Sequence, residues 1–135
     1  GLHTAGCYPE RLRQVLPLLD WVGLDIKTSW QNYADLVGVS SAAKRAAAAL
    51  ELVLQSGVAY EIRTTVHPDW LPAPELLTLG QGLQQAGVKN FVVQLYRSEG
   101  CLQPSPAKYD PGHYSALDCG DQLMAMFELF QFRGA

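Results

Sequence analysis

The run Trp21-Val22-Gly23-Leu24-Asp25-Ile26-Lys27 is apolar until it ends in an Asp-x-Lys pair. Side chains alternate along a strand, so Asp25 and Lys27 fall on one side of it. Burying charge is costly unless a partner or ligand answers it, and strand C-termini are where sheets covered by helices build their sites. The pair could grip a ligand's hydroxyls or a zwitterion, the carboxylate accepting and the ammonium donating. The competing reading is a salt bridge at a strand end, worth about 1 kcal/mol or less when exposed. Both stay open.

Further along, Tyr60-Glu61-Ile62-Arg63-Thr64-Thr65-Val66 carries a guanidinium inside a second strand-like run. Its planar fork suits a carboxylate or phosphate. Pairing with Glu61, two residues back on the same side, would account for it equally well. Tyr96 and Arg97 close a third run, where the arginine could reach a ligand carbonyl or phosphate or lie on the surface. His67 could be an acid or base, but a loop histidine before Pro68 is read as polar surface, and His3 and Thr4 are treated alike. There is no Gly-x-Ser-x-Gly elbow, Gly-x-Gly-x-x-Gly turn or phosphate loop, which weakens hydrolase, dinucleotide and NTP readings.

The elements that must position these groups alternate between strands and helices. A short strand ends at His3 and Thr4. Pro9 and Glu10 suit a helix's first turn, and Leu12, Val15, Leu16 and Leu19 follow at helical spacing. Trp21 to Ile26 is a strand. Ser40 or Ser41 can cap the next helix and Gly57 can end it. The alanine run at 46–49 favours helix, with Ala43, Ala47, Leu50 and Leu54 on one face. Ala59 to Val66 is a strand. Pro72 and Pro74 introduce a helix from about Glu75 to Ala86, closed by Gly87, and Phe91 to Leu95 is the third clear strand. Residues 98–114 are loop-like in composition, Leu117 to Phe127 form a last helix, and Leu129 to Arg133 a short terminal strand. Such alternation implies right-handed βαβ units and a parallel sheet, an α/β fold with helices outside. Pattern alone leaves open sheet and barrel undecided.

Composition bounds the rest. The 135 residues suit one domain, with βα units to about residue 97 and then a loop and C-terminal extension. The 48% hydrophobic content supports a packed core. A net charge of −3 without a basic block gives nucleic acid no footing. No apolar run approaches the length of a membrane helix, and no signal peptide opens the chain, so a cytoplasmic setting is the default. Cys7, Cys101 and Cys119 are scattered, form no metal spacing or disulfide framework, and are expected to be reduced.

Taken in order, Leu2-His3-Thr4-Ala5-Gly6, Asp20 through Lys27, Tyr33-Ala34-Asp35-Leu36-Val37-Gly38-Val39, Glu61 through Pro68 and Gln94-Leu95-Tyr96-Arg97 resemble the middle of radical S-adenosylmethionine (SAM) activating enzymes. The chain is similar to activases of glycyl-radical enzymes, most like the anaerobic ribonucleoside-triphosphate reductase activating proteins, with pyruvate formate-lyase activating enzyme as a relative. The resemblance implies a partial (β/α) barrel, truncated at the N-terminus, that holds SAM against a 4Fe-4S cluster. It implies an oxidoreductase that cleaves SAM reductively and takes a hydrogen from a glycine of the partner enzyme. Flavodoxin or ferredoxin would donate the electron. By position, Asp25, Ile26 and Lys27 would contact SAM, Arg63 would hold its polar groups, and Arg97 would lie near the ribose or adenine.

The chain departs from the family in lacking its Cys-x3-Cys-x2-Cys cluster loop and its Gly-Gly-Glu segment. His3 stands where relatives often have Asp, and Arg97 replaces a histidine of the formate-lyase branch. The expectation is therefore a C-terminal fragment, inactive alone and self-associating through an unpaired sheet edge. Two competing readings are a noncatalytic α/β binding module with the same scaffold but no cluster, and a barrel enzyme using Arg63 and Lys27 on a phosphorylated substrate.

Overall fold

The computed structural model describes residues 1–6, 8–27, 42–67, 71–95 and 119–133. Along the chain these form β1 (Leu2–Thr4), α1 (Pro9–Val15), a 3-10 turn (Leu16–Leu18), β2 (Trp21–Asp25), α2 (Ala42–Ser56), β3 (Ala59–Val66), α3 (Ala73–Ala86), β4 (Asn90–Leu95), α4 (Cys119–Met126) and β5 (Leu129–Arg133). The five strands make one parallel sheet in the order β1-β2-β3-β4-β5. Each strand is laid beside the one before it and on the same side, so crossovers of one hand bring every helix to the same face. Burial follows that topology: one core joins Val22, Leu24, Ile62, Val66, Phe91 and Val93 of the sheet to the apolar sides of all four helices. Neighbouring helices touch in the pairs α1–α2 and α3–α4.

Local chemistry explains the boundaries. Pro9 opens α1, while Pro17 withholds the N–H that would continue it, so the chain tightens into the 3-10 turn. Helical spacing therefore ends at Leu16, and Leu19 is extended. Pro72 caps α3 and Pro74 sits in its first turn, starting the helix at Ala73 rather than Glu75. At its far end Gly87 takes φ 99°, and its N–H reaches the Gln84 carbonyl at 3.0 Å. That left-handed cap is one only glycine adopts cheaply. Burying Leu76, Leu79 and Leu83 beneath α3 contributes about 2 kcal/mol each.

In α2 the buried stripe is Ala46, Ala49, Leu50 and Val53, not the expected Ala43, Ala47, Leu50 and Leu54. Gly6 packs closely against this stripe: a methyl group placed there would lie 2.8 Å from Ala49 Cβ and 3.2 Å from Leu24 Cδ1. Ala47 and Leu54 instead line an open groove with Glu51, Gln55 and Ala86. The expected serine cap of this helix lies outside the described residues. So do Leu117 and the 98–114 loop. Among the described residues, no helix is long and apolar enough to cross a membrane.

Candidate functional site

The face opposite the helices carries the other half of each strand's alternation. On β2 and β3 those positions are Trp21, Gly23, Asp25, Ala59, Glu61, Arg63 and Thr65, and register sets Asp25 directly beside Arg63 and Gly23 beside Glu61. Gly23 leaves a gap in that face. A methyl group there would sit 2.7 Å from Trp21 Cη2 and 3.3 Å from Arg63 Cζ, so both side chains lie over the glycine.

The charged groups form a row of alternating sign. Lys27 Nζ is 3.9 Å from Asp25 Oδ2, and Asp25 Oδ1 is 3.3 Å from Arg63 Nη2. Arg63 Nε is 3.9 Å from Glu61 Oε2. Glu61 in turn is held by both arms of Arg133, which donates to Oε2 at 3.0 Å and to Oε1 at 2.8 Å. The Arg133 guanidinium also donates to Gln131 Oε1 at 3.2 Å. This fork geometry is the strongest form of the pairing, and the hydrogen bond to Glu61 holds the Arg133 pKa above its ordinary value.

Burial along the row is uneven. The side chains of Glu61 and Arg63 are each 11% exposed, against 43% for Lys27 and 41% for Arg133. The two inner charges thus need partners, while the outer cations reach solvent. Three cations meet two carboxylates, so the row carries one unit of excess positive charge. Arg63 is the under-bonded member: its Nε–H is buried and has no hydrogen-bond acceptor among the described residues, since 3.9 Å to Glu61 is an ionic contact and not a hydrogen bond. Arg63 thus draws on both sequence readings. It touches Glu61, but its closer partner is Asp25. A cationic row with an unsatisfied guanidinium at its centre suits an oxyanion, a carboxylate above all, with Asp25 at hand to accept from a hydroxyl or amine.

Ile26 belongs to the other side. Its side chain is fully buried in the core, and its N–H donates to the Arg63 carbonyl at 2.8 Å, extending the β2–β3 ladder past Asp25. Arg97, with Tyr96, lies outside the described residues, as does the Tyr33 to Val39 segment. His67 corrects its sequence reading: it is 1% exposed, not polar surface, and its carbonyl accepts the Leu71 N–H at 2.8 Å. His3 stays exposed, edge-on to Trp21 at 5.1 Å between ring centroids, and Thr4 Oγ1 accepts the Gly6 N–H at 3.1 Å.

Sequence reasoning missed Arg133 and the role of Glu61 as its partner. The signal was there, a charge at a strand's end, but nothing local tells that β5 follows β4 in the sheet and that Arg133 reaches across that strand. Cys119 is a free thiol buried in the core, and burial pushes it up to about 11. It stays protonated at neutral pH and lies on the helix side. Among the described residues, no group of His, Cys, Asp or Glu could hold a metal ion. Comparison with protein-family models, with curated proteins and with solved structures finds no match for this chain.

Proposed function

We propose that the chain is part of a radical SAM activating enzyme, and that the row on the helix-free face holds SAM through Arg63, Lys27 and Asp25. The observation that carries this reading is their convergence: Asp25 stands 3.3 Å from Arg63 and 3.9 Å from Lys27 on one face. The residues fit the group. SAM presents a carboxylate, an ammonium and ribose hydroxyls, for which the row offers an under-bonded guanidinium, a second cation and an acceptor. When bound, SAM would supply the hydrogen-abstracting chemistry that acts on a glycyl-radical enzyme such as anaerobic ribonucleotide reductase. This chain's part is to bind and orient it. Asp25 lowers the cost of burying Arg63, Arg63 receives the anion, and Ile26 ties Asp25 to β3 through the Arg63 carbonyl.

A sheet in strict chain order with its helices on one face is also what a partial (β/α) barrel requires, its interior being the helix-free side. A 4Fe-4S cluster does not fit the described residues, since Cys119 is buried on the helix side. In this proposal its ligands come from outside this chain, and no step is drawn through it. The cytoplasmic setting and the electron donor, flavodoxin or ferredoxin, belong to the same proposal. Self-association has support at the sheet's two outermost described strands. Tyr8 and Val15 are exposed beside β1, and Leu129 is exposed in β5.

The test is calorimetry of SAM binding to the protein encoded by the complete gene, wild type against Arg63→Met. The proposal expects binding in the wild type and its loss in the variant, together with a Cys-x3-Cys-x2-Cys loop encoded upstream of Gly1. Binding of SAM without that loop would favour the noncatalytic module. Binding of inorganic phosphate but not SAM would favour the barrel enzyme acting on phosphorylated substrates.

A further inference from the structure

The double hydrogen bond between Arg133 and Glu61 lies outside the proposed SAM contacts, yet it determines what Arg63 can do. Glu61 is shielded from solvent and needs a cation. Two are within reach, Arg133 at 2.8 Å and Arg63 at 3.9 Å. Because Arg133 engages both carboxylate oxygens, Glu61 is drawn toward β5 and stops about 1 Å short of hydrogen-bonding Arg63 Nε. The consequence is the buried Nε–H of Arg63, which finds no acceptor among the described residues. Such an unmade bond is unfavourable in the ligand-free protein. It leaves the guanidinium, among the described residues, with ion pairs to Asp25 at 3.3 Å and to Glu61 at 3.9 Å but no hydrogen bond on Nε.

We infer that Arg133 is a positioning residue: by holding both oxygens of Glu61 it keeps that carboxylate from closing on Arg63, and so keeps the Arg63 guanidinium available to an oxyanion ligand. The control is competitive. Glu61 and the ligand's carboxylate seek the same cation, and Arg133 decides which one is served. The terminal strand thereby acts on the β2–β3 site without touching its ligand. This inference rests on the proposed function for the identity of the ligand, but not for the competition itself.

Arg133→Gln isolates the effect. With Arg133 gone, Glu61 should move onto Arg63, and the Arg63 Hε resonance should shift downfield as its N–H gains a carboxylate acceptor. This is read in the ligand-free protein and holds whether or not SAM is the ligand. Using SAM as the probe, affinity should fall about tenfold, the value of one charge-assisted hydrogen bond lost to an internal competitor. Arg133→Gln combined with Glu61→Gln removes the competing charge, so affinity should return to within about threefold of the wild type.

Glu61→Gln alone should leave the Arg63 Hε resonance in place, because Glu61 does not bond it in the wild type. This variant also serves if Arg133→Gln fails to fold. An unmoved Hε in Arg133→Gln, or a shifted one in Glu61→Gln, overturns the inference. A double variant that binds as weakly as Arg133→Gln makes Arg133 merely structural. If SAM binds no variant, wild type included, while Hε behaves as described, the positioning device stands and the ligand assignment falls.

Discussion

On the side of the sheet that meets the helices, Val22, Leu24, Ile62, Phe91 and Val93 are at or near zero exposure and belong to one hydrophobic core. On the other side, one residue away along the same strands, Asp25, Glu61 and Arg63 are held by ion pairs at 2.8–3.9 Å. The apolar side is fully shielded and the polar side only at Glu61 and Arg63, and the stabilising physics differs. The apolar side draws on area removed from water and on close packing, and tolerates no gap. Charge pairing on the polar side does little more than offset desolvation, so it adds little to stability and leaves reactive groups poised. A stability role and a binding role are thus divided between alternate residues of one strand.

That division is broken most severely at Phe91. It is fully buried and packs against Phe127 at 5.1 Å and Phe130 at 5.9 Å between centroids, joining β4 to the chain around α4 and to β5. Phe91→Ala should cost about 3–5 kcal/mol, read as a lower urea midpoint. A loss below about 1 kcal/mol would mean that the aromatic cluster does not anchor β5.

The two faces can next be compared through their glycines. At Gly80, in α3, a methyl group would lie 2.6 Å from Leu123 Cδ2, a fully buried side chain with nowhere to go. Gly80→Ala should therefore destabilise by about 1 kcal/mol net, overpacking outweighing the gain in helix propensity. At Gly23 the methyl group would meet the rim of Trp21 and the end of Arg63, both able to shift. Gly23→Ala should change stability by less than about 0.5 kcal/mol while weakening SAM binding several-fold. Equal stability losses at the two glycines would erase the distinction between a packed face and a poised one.

Much of this arrangement is legible in the sequence, for physical reasons. Strand alternation in Trp21–Asp25 and Ala59–Val66 and the punctuation by Pro72, Pro74 and Gly87 are local, and local interactions encode them. The shared side of Asp25 and Lys27 follows from the same period of two, and the ion pair at 3.9 Å agrees with it. What escapes is set by tertiary contact. The buried stripe of α2, against which Gly6 packs, and the burial of His67, whose carbonyl accepts the Leu71 N–H, are examples. The Glu61–Arg133 pair joins residues 72 positions apart across an intervening strand. No periodicity in a single chain records that distance.

The finest contrast lies between two adjacent residues of β3. Thr64 Oγ1 and Arg63 Nε are both buried and both lack hydrogen-bond partners among the described residues, but they lie on opposite faces. On the helix side, an unmade hydroxyl bond in an apolar core serves no purpose: Thr64 is 1% exposed between Ile62 and Val66. Valine has nearly its shape without the polar atom, so Thr64→Val should stabilise by about 1 kcal/mol and leave SAM binding unchanged. On the other side the unmade bond is the proposed means of recognition. Arg63→Met still leaves Asp25 with Lys27 and Glu61 with Arg133, so binding should vanish while stability moves little. A Thr64→Val variant that unfolds more easily would reveal a partner for that hydroxyl and remove the asymmetry. Stabilisation at residue 64 together with lost binding at residue 63 would show one strand carrying an unsatisfied group by accident on one face and by use on the other.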